Sequence, residues 1–330
     1  KAEGSSKYRS DIPNWIAMCF YHQGRFNELL SYAEPLLKQK NSQYKLDELS
    51  LLVAEVQFKL GYYEKAAASY QINSNLNPQS VNNQVHYRFG FSLYKINKFN
   101  EAADELKFVV DSKDTLSQYA AFTLGLAQLK AGNLEATLIA FEKAKALNFN
   151  KEIQEEAFFN HAKVLLDLGK ASETIYEIQE FNKNYPTSKF NEEANELVAD
   201  AFISSNNLNA AMDYLKSIPN RSSKLNAAYQ TLSYNLAVKA YNTNKFSEAV
   251  EFFNTSISNS ESEEIKFQSN FGKAEALSQL KKYQEAIQVY SPLLISNPPV
   301  TKAVDFLQKV RIGLAYAYFN TKDFTKANNL

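Results

Sequence analysis

The 330 residues are 45 % apolar with only nine glycines and eight prolines, too few turn-formers for many short strands, so composition argues against a chiefly β architecture and for a nearly all-helical one. Lys plus Arg and Asp plus Glu balance at 36 each, which leaves no net field to draw in nucleic acid or an anionic membrane. No run approaches the roughly 18 consecutive apolar residues that cross a bilayer, so direct membrane insertion is not expected, and KAEGSSKYRS at the start lacks the pattern of a signal peptide.

Residues 1–9 read as an irregular leader, and one pattern recurs after them. In LGYYEKAAASYQINSNLNP, residues 60–78, a glycine is followed two residues later by Tyr63, then by Ala66, Tyr70 and Pro78. The core begins as GRFNEL at 24–29, passes through GYYEKA, NKFNEA, GNLEAT and GKASET, and ends as NNLNAA, NKFSEA, KKYQEA and KDFTKA. Its third position is Phe26, Tyr63, Phe99, Leu134, Ala171, Leu208, Phe246, Tyr283 and Phe324, at intervals of 35 to 41 residues. Seven residues before each turn position stands a small residue: Ala17, Ala54, Gly90, Gly125, Ala162, Ala199, Ala237, Ala274 and Ala315. Five after it stand Leu29, Ala66, Ala102, Thr137, Thr174, Ala211, Ala249, Ala286 and Ala327. Small residues facing each other across a short turn let two antiparallel helices pack closely. The turn residue is Gly in four copies and Asn at 97, 206 and 244, the types that best tolerate a left-handed backbone after a helix. Pro78, Pro186 and Pro298 close the second helix of their copies.

On these residues the chain resembles the tetratricopeptide repeat family, whose signature combines small residues at two facing positions, a turn, an aromatic after it and a proline at the end. The resemblance implies an all-α, right-handed superhelical solenoid of antiparallel helix pairs. It covers the chain as one solenoid with copies at about 10–42, 43–80, 81–114, 115–150, 151–188, 189–222, 223–260, 261–299 and 300–330. SIPNRSSK at 217–224 is the weakest joint. The ninth copy stops inside its second helix at FTKANNL, so the expectation is a longer native chain whose remainder packs on the C-terminal end. Composition and array length also resemble envelope-associated repeat proteins of Bacteroidetes-type bacteria, which favours periplasm or cell envelope over cytoplasm.

Motifs for chemistry are missing. Cys19 lies in the apolar run IAMCFY, where a buried, inert thiol is expected. His22, His86 and His161 have no second ligand at metal spacing, and His86 and His161 read as satisfied packing residues. No phosphate-binding glycine loop, dinucleotide fingerprint or nucleophile elbow occurs. No enzyme activity, metal or cofactor is expected.

The resemblance therefore points to surface. In the family the first helix of each repeat lines a concave groove, and the corresponding residues here include Tyr87, Phe91, Tyr94 and Lys95 in the third copy. The fourth gives Tyr119 and Phe122, the fifth Phe159 and Lys163, the sixth Glu196 and Asp200, the seventh Tyr234 and Tyr241, the eighth Phe271 and Glu275. This reads as an aromatic tract followed by an acidic step, and some rings, Phe122 and Phe159 above all, could equally pack between helices. The lysine and asparagine pattern by which family members clamp an acidic C-terminal peptide is not found. The expectation is a protein-interaction scaffold whose groove holds an extended or helical segment of another protein. The alternatives are a glycan- or outer-membrane-associated binding protein and a hidden enzyme with converging carboxylates.

Overall fold

The computed structural model describes residues 8–39, 43–205, 207–295 and 303–330. Among them are eighteen α-helices and no strand. In chain order they are α1 (Ile12–His22), α2 (Phe26–Gln39), α3 (Leu46–Lys59), α4 (Tyr63–Leu76), α5 (Asn83–Lys95), α6 (Phe99–Leu106), α7 (Thr115–Lys130), α8 (Leu134–Ala146) and α9 (Lys151–Asp167). There follow α10 (Ala171–Asn184), α11 (Asn191–Ser204), α12 (Leu208–Ser217), α13 (Ser223–Asn242), α14 (Phe246–Ser258), α15 (Glu263–Gln279), α16 (Tyr283–Ile295), α17 (Ala303–Asn320) and α18 (Phe324–Asn328). Every second helix starts on the third-position residue of the repeated core.

Two compact units result, one running to Leu168 and including Lys183–Tyr185, the other formed by Gly169–Asn182 and the chain from Pro186 onward. In the first, α1 packs on α2, α3 on α4, α5 on α6 and α7 on α8, and each pair rests on the next helix in sequence. In the second, α11 pairs with α12, α13 with α14, α15 with α16 and α17 with α18. First helices also touch one another, α5 on α7 and α13 on α15.

The turns explain the regularity. Backbone φ is left-handed at Gly24, Gly61, Asn97, Gly132, Gly169 and Asn244, and also at Lys281 and Lys322. Asn206, the ninth turn residue, lies outside the described residues. After the left-handed residue the next amide reaches back to the carbonyl five residues earlier, as from Tyr62 to Gln57 at 2.8 Å and Lys245 to Ala240 at 2.9 Å. This ties off orphan carbonyls at the helix end. Rings close the same turns: Tyr21 meets Phe26, Phe58 meets Tyr63, Tyr94 meets Phe99, Tyr241 meets Phe246 and Phe319 meets Phe324, with centroids 5.4 to 5.9 Å apart.

Both sets of small residues are buried in the first eight copies, from Ala17 with Leu29 to Ala274 with Ala286. In the ninth, Ala315 and Ala327 are only half-buried. A Cβ on Gly90 would come within 2.7 Å of Leu106, and one on Gly125 within 2.6 Å of the Phe141 ring. Nine residues after the turn, Tyr70, Leu106, Phe141, Ile178, Leu215, Phe253 and Tyr290 are essentially solvent-free. They supply the bulk that the small residues make room for.

Buried glutamines fasten successive copies. Gln118 donates from Nε2 to the Leu147 and Asn150 carbonyls at 2.6 and 3.1 Å, and its Oε1 accepts from the Asn150 amide at 2.7 Å. Gln230 does the same in the second unit, donating to the Ser262 carbonyl at 2.9 Å and accepting from the Ser262 amide at 2.7 Å. Asn150 and Ser262 then cap α9 and α15 with their side chains.

Some expectations change. Cys19 is exposed, because among the described residues α1 rests on α2 and α3 and its other side, with Trp15 and Met18, is exposed. Within the SIPNRSSK segment one side chain makes several local contacts. Arg221 donates to the Leu215 carbonyl at 2.9 Å and to Asn226 Oδ1 at 3.0 Å, and its guanidinium stands 4.4 Å from the Tyr229 ring centroid. Pro78 and Pro186 follow the ends of α4 and α10 as expected, whereas Pro298 lies outside the described residues.

Candidate functional site

In the first unit, α5 carries Tyr87, Phe91, Tyr94 and Lys95. Phe91 is the centre of a ring cluster, with centroids 5.9 Å from Phe58, 5.8 Å from Tyr63 and 6.0 Å from Tyr87. The Lys95 ammonium lies 5.1 Å from its ring centroid, within cation–π range. Tyr87, Phe91 and Tyr94 are half-buried and Lys95 is exposed. Burial pushes the Tyr87 phenol up to about 12, against a smaller lowering by its hydrogen bond with Thr123 and with small further raises from Tyr119 and Tyr63. Tyr94 is the ring that closes its own turn on Phe99.

On α7, Tyr119 is half-buried and its hydroxyl accepts from Asn150 Nδ2 at 2.9 Å. Phe122 is 8 % exposed and Phe159, on α9, 2 %. These two rings are core: Phe122 packs 5.8 Å from Phe141, and Phe159 lies beneath Lys163, whose ammonium is 5.4 Å from its centroid. Neither offers an apolar face to a partner.

In the second unit, the acidic step is internally paired. Lys224 reaches Glu196 at 3.1 Å and Asp200 at 3.5 Å, and Ser222 donates to Glu196 at 2.9 Å. Burial opposes the Lys224 charge, but the Glu196 hydrogen bond and the neighbouring Asp200 outweigh it and raise its pKa. Tyr234 packs on Phe253 at 6.1 Å and Tyr241 closes its turn on Phe246 at 5.4 Å. Phe271 is half-buried, 4.9 Å from Phe306 and 6.1 Å from Tyr290.

Sequence reasoning missed Phe58 and Tyr63 as members of the Phe91 cluster. Phe58 stands three residues before its turn, the register place that Tyr94 holds in the third copy, so the signal for it was in the repeat pattern, and α3 and α5 are adjacent first helices. His86 is satisfied, 2.8 Å from Glu105 and stacked on Phe108 at 4.5 Å. His161 is buried and lies 3.3 Å from Glu142. Among the described residues no three His, Cys, Asp or Glu side chains converge as a metal site, and no helix is long and apolar enough to cross a membrane.

No family model matches the chain, and no curated protein matches it. Solved structures do. The MamA protein is 18 % identical, covering 56 % of this chain and 92 % of its own, with a TM-score of 0.43. YrrB, described as a TPR protein with an unusual peptide-binding site, is 18 % identical over 55 % of this chain and 84 % of its own, at 0.43. A tetratricopeptide repeat protein from Parabacteroides merdae is 12 % identical over 79 % of this chain and 96 % of its own, at 0.41. The chain's own geometry shows the fold: one register recurring along the sequence, left-handed turns at its fixed place and small residues buried on both sides of them make a helical-repeat architecture of antiparallel helix pairs.

Proposed function

We propose that the chain is a non-enzymatic interaction scaffold whose first helices bind an extended or helical segment of another protein. The observation that carries this reading is the Phe91 cluster. Four half-buried rings, Phe58, Tyr63, Tyr87 and Phe91, form one apolar surface on adjacent repeats with the exposed Lys95 at its margin. Large rings already held by their neighbours lose little conformational freedom on binding, which is how interface anchors are built. Repeat stacks present such surfaces along their length.

A second reading, glycan binding, draws on Trp15, which is 52 % exposed with the Tyr8 ring 5.7 Å away. Capture from a lysate of the source organism separates the two, comparing the wild-type chain with Phe91→Ser/Lys95→Glu and with Trp15→Ala, each checked for helical content. Loss of a defined protein on the first variant supports the scaffold. Retention of polysaccharide alone, lost on Trp15→Ala, would replace it.

A further inference from the structure

Two repeats carry the same half-buried carboxylate on a buried tyrosine, and they differ in one residue. In the first unit, Glu55 on α3 accepts a hydrogen bond at 2.9 Å from the hydroxyl of the fully buried Tyr70. Its other oxygen pairs with Arg88 on α5, whose guanidinium is 5.7 Å from the Phe58 ring centroid. The three groups sit at fixed places in the register: glutamate six residues before a turn residue, tyrosine nine after it, arginine nine before the next turn residue.

Around Lys281 the register repeats. Glu275 stands six before it and Tyr290 nine after it, and the buried Tyr290 hydroxyl donates to Glu275. The place of the arginine, nine before Lys322, is taken by Gly313. A Cβ built on Gly313 would lie 2.5 Å from the Tyr290 hydroxyl and 3.0 Å from Glu275 Oε1, so this position faces the tyrosine–carboxylate pair but has no side chain to offer. Of the two carboxylates, only Glu55 is paired with a cation among the described residues. In place of the arginine is an open cavity of about 370 Å³ lined by Glu275, Phe271, Ser278, Lys309 and Tyr316 among others. That volume falls in the range of small-ligand pockets, roughly 300–1,000 Å³. Ser278 takes the register place of Phe58, and its buried hydroxyl oxygen lies beside the Tyr290 hydroxyl.

We infer that this cavity receives an arginine side chain from the bound protein segment, whose guanidinium replaces the one that Arg88 supplies internally in the first unit. The inference rests on the scaffold reading and specifies a feature of its partner. Glu275 accepts from the guanidinium in a charge-assisted hydrogen bond, Ser278 supplies an acceptor, and the Phe271 and Tyr316 rings flank a planar cation. Tyr316, 55 % exposed, and Ile312, 70 % exposed, leave the mouth open. Among the described residues, Lys309 is the one cation lining the cavity, and its charge opposes the incoming one.

The test uses acetyl-arginine amide as probe and acetyl-citrulline amide as its neutral near-isostere. Ile312–Gly313 is the only Ile-Gly step in the sequence, so nitrogen-15 glycine with carbonyl carbon-13 isoleucine picks out the Gly313 amide. The expected result is a saturable Gly313 shift with the arginine compound, half-complete on the order of a millimolar, a weak affinity of about −4 kcal/mol. The shift is absent with citrulline, lost in Glu275→Gln and tighter in Lys309→Met. No shift, an equal shift with citrulline, or a shift unchanged in Glu275→Gln overturns the inference. Binding seen only in Lys309→Met also overturns it, because the chain's own lysine would then fill the site. If the shift is missing while protein capture still depends on Phe91 and Lys95, the arginine pocket falls and the scaffold stands.

Discussion

Lys281 and Lys322 hold φ at 61° and 65°, where an L side chain crowds its own backbone at a cost of roughly 1–2 kcal/mol. Glycine fills the same place in four other turns. Lys281→Gly is therefore expected to stabilise the second unit by about 0.5–1 kcal/mol, part of the relief being offset by glycine's freedom in the unfolded chain. The opposite substitution has two distinct costs. Gly132→Ala meets nothing within 4 Å and suffers only the backbone strain, about 1 kcal/mol. Gly125→Ala drives a methyl into Phe141 at 2.6 Å and is expected to cost about 1–3 kcal/mol as overpacking. Urea midpoints of the three variants check the signs and the order.

Tyrosines set the alkaline limit at the same scale. Burial pushes Tyr87 and Tyr214 up to about 12 and raises Tyr70 and Tyr290 as well. The unfolded chain ionises its phenols near 10. With folded values above unfolded ones, the contribution of these protonated phenols is whole below about pH 10 and is lost as pH climbs toward about 12. Urea midpoints should fall over that window, and phenolate absorbance should rise in step with unfolding. A midpoint independent of pH up to about 11 would show that these rings are open to water.

At the scale of the element, the legible part was large because it is local. Nine second helices begin on the residue that follows the turn by two, since a left-handed residue, a back-reaching amide and a ring contact are all set within a few positions of one another. What the sequence did not disclose depends on the neighbouring repeat. Phe122 and Phe159 look like groove rings on their own helices, and only the packing of neighbouring elements makes them core, as Phe141 on α8 does for Phe122. Glu196 and Asp200 read as an acidic face until Lys224, beyond α12, comes to lie against them. The Gln118 clamp joins residues in α7 to the loop between α8 and α9, and its register place is shared with Gln230 but with few other copies, so it does not stand out from the repeat pattern. Replacing it by Leu keeps the volume but strands the Leu147 and Asn150 groups, a loss of about 1–3 kcal/mol. Amide exchange at Asn150 should accelerate in Gln118→Leu, and an unchanged rate would show that water replaces the clamp.

Across the whole molecule, energy is distributed by nearest neighbours, because each pair of helices buries its small residues only against adjacent ones. Gly272 and Gly313 show how far that rule escapes sequence reading. Both lie two residues before a small position, unremarked in the repeat pattern, and both are approached by the bulky ring of the preceding second helix, Phe253 and Tyr290. The aromatic tract was legible as a set of positions. Its division into the Phe91 surface, turn-closing rings and core was not, since that depends on which helix stands next to which.

The chain's single tryptophan gives this arrangement an optical consequence. Trp15 sits half in water on α1 beside Tyr8, so its emission reports the first pair of helices and is silent about the interior of the other sixteen described helices. Ellipticity, by contrast, averages over every helix. The gap between the two unfolding curves is thus a built-in gauge of how tightly the first repeat is coupled to those that follow it.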